Sequence, residues 1–116
     1  YYRSSGVRVP QRVDDPSEAA AIFHQAIRLN YPGGILVGNP VPEQFSMDKT
    51  AIEVCIEKAL ADAARQSIKG QAVTPFLLGK LYEITGGDSL KTNIELVRNN
   101  AILCTQIAVA FVRQAS

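Results

Sequence analysis

The chain has 116 residues, 47% of them hydrophobic and 20% charged, with twelve basic and eleven acidic side chains and a formal net charge of +1. That length suits one domain around one core, and the composition carries no disorder bias. The interspersed charges exclude the basic stripe of a nucleic-acid binder, and no apolar run approaches the roughly 18 residues of a membrane span, so neither nucleic acid nor a membrane is an expected partner. The start, Tyr1-Tyr2-Arg3-Ser4-Ser5-Gly6, lacks both an initiator methionine and a signal-peptide pattern, which predicts a piece of a longer protein. Cys55 and Cys104 both fall in helical apolar stripes and read as reduced packing residues of an intracellular protein rather than a disulfide; the cytoplasm is the expected compartment, with an organelle left open.

In chain order, Val7 to Val13 alternates Val7, Val9 and Val13 with Arg8 and Arg12, a short strand that Pro10 restricts to an edge or an end. Asp14 and Asp15 before Pro16 pair an N-cap with a first helical residue, predicting a helix to about Asn30 with Ile22, Phe23, Ala26 and Ile27 inward. The run Ile35-Leu36-Val37-Gly38 reads as a buried strand, and Asn39-Pro40-Val41-Pro42 forces an extended exit. A long helix begins around Ser46 to Asp48, carries Ile52, Ile56, Ala59, Leu60 and Ala63, pairs Lys58 with Asp62, and stops at Lys69-Gly70. Thr74-Pro75 caps a third helix that ends at Gly86-Gly87. Asp88 or Ser89 caps the last, roughly Ser89 to Val112. The expected order is therefore strand, helix, strand and three helices: an α/β class, helix-rich, with two or three strands.

The last helix poses the functional question. Its apolar stripe runs Leu90, Ile94, Val97, Ala101, Cys104, Ala108, Phe111, in steps of four and three that stay on one face. Leu96, Leu103 and Ile107 form a second row, and Asn93 and Asn100 sit within these rows. An amide taken out of water must find partners or cost about 1–3 kcal/mol, so these asparagines are either structural amides or contacts to a polar ligand. They lie seven residues apart, about 10.5 Å along the axis, and do not both grip one small ring. Asn99 lies on a more polar face with Glu95 and Gln106. Asn39 ends a strand, where open sheets face ligands, but an asparagine before proline also forms turns.

Other candidates read blandly. Gly33-Gly34 precedes a strand, whereas a phosphate loop follows one, so a tight turn is the better account. His24, the only histidine, shares a face with Ser17, Ala21 and Arg28 and is expected in solvent. One histidine and two separated cysteines make no metal cluster. Lys49, Lys58, Lys69, Lys80 and Lys91 all occupy polar positions, without the desolvation a nucleophilic lysine needs. Arg3 with Ser4 and Ser5 reads as a solvated strand end or a phosphate contact.

Three blocks carry a family likeness: Gly33-Gly34-Ile35-Leu36-Val37-Gly38-Asn39-Pro40-Val41-Pro42-Glu43, then Val73-Thr74-Pro75-Phe76-Leu77-Leu78, then Gly86-Gly87-Asp88-Ser89-Leu90-Lys91-Thr92-Asn93-Ile94-Glu95-Leu96-Val97-Arg98-Asn99-Asn100-Ala101. Together they resemble the C-terminal part of pseudouridine-5′-phosphate glycosidases, a family that includes indigoidine-synthase-A-like proteins. Tyr1-Tyr2-Arg3-Ser4-Ser5 and Arg12-Val13-Asp14 look like the segment leading in, so the likeness spans essentially residues 1–116 as one C-terminal segment of a single domain. Gly38 stands where many members have alanine. The resemblance implies an α/β/α layered fold, a homotrimer, manganese, and reversible cleavage of the C–C glycosidic bond of pseudouridine 5′-phosphate to uracil and ribose 5-phosphate by way of a lysine Schiff base.

The family's catalytic glutamate, Schiff-base lysine, phosphate-binding lysine and manganese-binding aspartate match no residue here, so this segment alone is expected to be inactive and to hold no metal ligand. Asn93 does match the asparagine implied to hydrogen-bond the uracil, and an amide presents one donor and one acceptor to an imide edge. Asn39, Asn99 and Asn100 are then support for that site. Two other classes stay open: a non-catalytic binding or assembly remnant, and a related enzyme acting on another C-glycoside or in pigment synthesis.

Overall fold

A computed structural model describes residues 1–115. Its regular structure is helical: α1 (Pro16–Arg28), α2 (Lys49–Arg65), α3 (Val73–Ile84) and α4 (Asp88–Gln114), with short 3₁₀ turns at Glu43–Phe45 and Gly70–Ala72. Two compact units divide the chain, Tyr1–Ser5 with Pro40–Val97, and Gly6–Asn39 with the chain from Arg98 onward.

The helix boundaries follow local chemistry. The Asp15 carboxylate accepts from the Ser17 amide at 2.6 Å and that of Asp48 from the Ala51 amide at 2.8 Å, each satisfying an amide that the first helical turn leaves without a partner. Pro16 occupies the first helical position of α1, where its missing N–H costs nothing. Three helices end alike. The amides of Asn30 and Tyr31 return to the carbonyls of Ile27 and Ala26, those of Ser67 and Ile68 to Ala64 and Ala63, and those of Gly86 and Gly87 to Glu83 and Tyr82. In each, the residue after the cap turns left-handed, with φ of 48° at Asn30, 57° at Ser67 and 60° at Gly86. The second helix thus stops at Arg65 rather than at Lys69-Gly70, and α3 starts at Val73 with no side-chain cap from Thr74.

The first unit has a core. Val41, Ile52, Ala59, Ala63 and Leu81 are buried, and α2 packs on α3. Its opening residues are tied in: Arg3 Nη1 donates to the Val41 carbonyl at 3.0 Å, Tyr2 Oη to Glu53 at 3.2 Å, and the Met47 amide to the Tyr1 carbonyl at 2.9 Å. Arg3 is exposed, and its guanidinium braces the Val41 carbonyl. The buried Thr92 hydroxyl of α4 donates to the Phe45 carbonyl at 2.9 Å. Asp62 pairs with Arg65 instead of Lys58.

In the second unit Ala19, Ala20 and Ile107 are the buried hydrophobic residues among those described. His24 is not in solvent. It is half-buried, stacked on Phe111 with centroids 4.0 Å apart, and its Nε2 donates to the Phe111 carbonyl at 2.8 Å. Gln114 reaches the Ser17 carbonyl at 2.9 Å.

The expected α/β class with two or three strands is overturned: among the described residues there is no strand, at Val7–Val13 or at Ile35–Gly38. The physical reason is that a strand is defined by a ladder to a neighbour, and no other segment of the described chain offers either run an edge. Ile35, Leu36 and Val37 have no regular structure and are exposed rather than buried. The same shortfall shows along α4, where the stripe from Leu90 through Ile94 and Val97 to Cys104 stays open. The covered line is Ser89, Thr92, Leu96, Leu103 and Ile107.

Candidate functional site

Each unit holds a hollow lined by asparagine. In the first unit, Asn93 lines a hollow of about 300 Å³ together with Tyr1, Leu78, Tyr82, Ser89 and Leu90. Ser89 and Asn93 stand four residues apart and therefore one above the other on α4. Asn93 is half-buried and Ser89 buried, yet among the described residues neither the amide nor the Ser89 hydroxyl has a hydrogen-bond partner. The remaining walls are aromatic and aliphatic, and among the described residues no charged side chain lines the space. Burial pushes the Tyr1 phenol above its ordinary pKa, which keeps it neutral. A volume at the lower end of ligand pockets, flat apolar walls and two adjacent uncommitted polar groups suit a small neutral heterocycle and give nothing for a phosphate.

The Gly86-Gly87 turn shapes this wall. Gly86 and Gly87 take φ of 60° and 97°, and a Cβ at Gly87 would stand 3.4 Å from the Tyr82 ring. Sequence reasoning singled out Asn93 but missed Tyr82, Ser89 and Tyr1. The first two were findable, because a tight glycine turn between two helices brings the last residues of one beside the first of the next.

In the second unit a larger cleft of about 1120 Å³ is lined by Asn39 and Asn100 among residues such as Ile27, Ile35, Leu103 and Phe111. Asn39 Nδ2 donates to Asn100 Oδ1 at 3.0 Å. These two are thus brought together, bonding the segment before Pro40 to α4, while Asn93 lines a different hollow. Asn99 is half-buried. The five lysines lie away from both hollows. Lys80 is held above its usual pKa by its hydrogen bond to Glu83 at 2.7 Å and by that carboxylate's charge, the opposite of what a nucleophilic amine requires. Among the described residues no three His, Cys, Asp or Glu side chains come together to hold a metal, both cysteines are free thiols, and no helix is long and apolar enough to cross a membrane.

The model of the indigoidine synthase A-like protein family matches residues 1–110. A pseudouridine-5′-phosphate glycosidase of Caldanaerobacter subterraneus subsp. tengcongensis is 49% identical over 109 residues, covering 94% of this chain and 36% of that protein. The protein of the same name from Escherichia coli K12 is 44% identical over 115 residues, 99% of this chain and 37% of its own length. Among solved structures, the prealnumycin C-glycosynthase in complex with ribulose 5-phosphate superimposes with a TM-score of 0.83 at 31% identity, over 98% of this chain and 38% of that one. An indigoidine-synthase-A-like protein of Thermotoga maritima gives 0.79 at 37% identity, over 93% and 35%. The chain spans little more than a third of the length of the curated relatives it matches.

Proposed function

Because this chain belongs to the indigoidine synthase A-like family, we propose that it supplies the base-holding wall of a pseudouridine-5′-phosphate glycosidase, with Asn93 as the residue that reads uracil. The observation that carries this reading is the half-buried Asn93 amide, uncommitted among the described residues, at the side of a neutral, flat-walled hollow. Support comes also from relatives bearing that name at 44–49% identity.

The chemistry gives such a wall a task. In a pseudouridine the base is joined to the sugar through carbon, so there is no glycosidic heteroatom to protonate and the base is a poor leaving group. The base must stay in register while the bond breaks or forms, and held geometry is worth several kcal/mol of the barrier. Asn93 presents its N–H and its carbonyl to complementary groups of the imide edge. Tyr82, Leu78 and Leu90 face the ring, and the Ser89 hydroxyl adds a contact one turn away. The bond-breaking acid and the Schiff-base lysine belong, on this reading, to polypeptide beyond this chain, which is inactive alone. Manganese finds no donor set among the described residues, and no step is derived through it. Homotrimeric assembly is part of the same proposal.

The test is a chimera in which this chain replaces the matching part of the Caldanaerobacter relative. It is expected to form pseudouridine 5′-phosphate from uracil and ribose 5-phosphate, and to weigh as a trimer. Asn93→Ala should lower kcat/KM for uracil by about ten- to a hundredfold, the size of one or two lost hydrogen bonds, with the melting temperature held to within about 2 °C. Parallel losses of melting temperature and activity, with unchanged base preference, make Asn93 a structural amide. Turnover of another C-glycoside in place of the uracil product assigns the chain instead to the chemistry named for the C-glycosynthase.

A further inference from the structure

We propose that Ser89 is a specificity-determining residue of the Asn93 hollow, its hydroxyl accepting a hydrogen bond from the ring N1–H of the base. This rests on the uracil reading of that hollow and assigns to Ser89 a discrimination that Asn93 does not make.

Two polar side chains are buried among the described residues, Ser89 at 3% exposure and Thr92 at 5%. The Thr92 hydroxyl is committed to the Phe45 carbonyl at 2.9 Å. The Ser89 hydroxyl has no partner among the described residues, and Ser89 lines the hollow. Its backbone is nevertheless pinned: the Ser89 amide donates to the Thr85 hydroxyl at 3.1 Å, and that hydroxyl donates to the Leu81 carbonyl at 2.6 Å. A buried hydroxyl without a partner costs stability, so a pinned one beside a hollow points to a ligand. Tyr1 and Tyr82 also bring hydroxyls to the lining. Only Ser89 shares the Asn93 face of α4, about 6 Å away along the axis, so the helix itself fixes their separation.

The chemistry of the ring assigns the hydroxyl its atom. Turned so that their sugar bonds coincide, a C-linked and an N-linked uracil present the same edge, N3–H between two carbonyls. An amide reading that edge does not tell them apart. Their one polar difference lies beyond it, where the C-linked base carries N1–H and the N-linked base C5–H. The Asn93 amide supplies a donor and an acceptor, enough for N3–H and one carbonyl. N1–H remains, and beside Leu78, Tyr82 and Leu90 it needs an acceptor. Ser89 Oγ has lone pairs to offer. A base with carbon or an N-methyl group at that position leaves the hydroxyl unpaired, which is how a polar site rejects a near-isostere.

The test uses the chimera with the Caldanaerobacter relative, supplied with ribose 5-phosphate and with uracil, 1-methyluracil or 3-methyluracil. The parent chimera should favour uracil over each methylated base by about a hundredfold or more in kcat/KM. Ser89→Ala should lower kcat/KM for uracil about tenfold and shrink the preference over 1-methyluracil by a similar factor. Its preference over 3-methyluracil should hold to within about twofold, and its melting temperature should not fall, since the hydroxyl bonds to no other described residue. Asn93→Ala should show the opposite pattern of preferences. Equilibrium dialysis of the same three bases reads the same ratios in a folded chimera that does not turn over.

A parent chimera that takes 1-methyluracil as readily as uracil overturns the proposal before any variant is made. So does a Ser89→Ala variant that loses both preferences equally or neither, because the hydroxyl then serves a carbonyl or only the helix. An intact 3-methyluracil preference in Asn93→Ala counts against the uracil reading, whereas an intact 1-methyluracil preference in Ser89→Ala counts against Ser89 alone. A chimera that binds no base overturns both.

Discussion

The first unit turns Ile52, Ala59, Ala63 and Leu81 inward and laces its opening residues onto them, whereas the second carries comparable apolar side chains and leaves most of them in water. Composition does not separate the two. What separates them is whether each apolar face meets another within the same 116 residues. Where α2 meets α3 the first unit has a core, although Leu90, Ile94 and Val97 stay open in that unit too. The hollow beside Asn93 is correspondingly small, about 300 Å³, and lined by residues of α3 and α4 with Tyr1. The second unit's cleft is broader, about 1120 Å³.

The sharpest way to break this comparison is to truncate one isoleucine in each unit. Ile52 is 1% exposed on α2, and Ile52→Ala should cost about 2–5 kcal/mol in chemical denaturation, through lost burial and the cavity left behind. Ile27→Ala, in the second unit, should stay within about 0.5 kcal/mol, as surface changes do. Equal losses at the two sites would mean that the second unit is as tightly packed as the first.

A smaller effect separates the helix ends. Ser67 holds a left-handed φ of 57° despite its Cβ, whereas Gly86 at 60° has none to strain. Ser67→Gly should raise stability by about 1 kcal/mol and Gly86→Ala should lower it by a similar amount. Both are in the first unit and both are read from the shift in denaturation midpoint. A neutral Ser67→Gly would show that the polar side chain offsets the backbone cost.

These positions also show what was legible in the sequence. Asp15-Pro16, Asp48 and Gly86-Gly87 act through neighbours within four residues, and the starts of α1, α2 and α4 and the end of α3 follow from them to within a residue or so. Ser67 carried no such signal, since glycine at position 70 was the more conspicuous stop. Ile35–Gly38 failed for a different reason. Its apolar run suggests burial, but whether a segment forms a ladder depends on a neighbour outside the local pattern. His24 misled in the opposite sense: its helical face looked polar, yet Phe111, 87 positions away, supplies both a ring and a carbonyl. At the site, Asn93 stood out as an amide in an apolar helix, and the family motif gave it a role. Tyr82 and Ser89 look like ordinary helix residues until the turn between α3 and α4 places them beside it.

The smallest effect concerns how α1 is held in a unit with little core. Its start rests on local bonds: Asp15 accepts from the Ser17 amide, and the Glu18 carboxylate accepts from the Asp14 amide at 3.0 Å. The backbone bond from Ser17, with a further contribution from its side chain, holds the Asp15 carboxyl below the usual aspartate range. A group with a depressed folded-state pKa contributes stability that is present above its unfolded value and is lost as pH falls through the folded one. The side-chain amide of an Asp15→Asn variant still caps but does not titrate. Amide exchange in the first turn of α1 should therefore quicken in the parent as pH drops below the ordinary carboxylate range, once intrinsic exchange rates are divided out. The variant should lack that component, and the Asp15 side-chain carbonyl shift should titrate with a midpoint below that of a free aspartate. An ordinary midpoint, or identical exchange profiles in parent and variant, would show that α1 is held by packing after all. The second unit would then be less dependent on its local bonds than its open cleft implies.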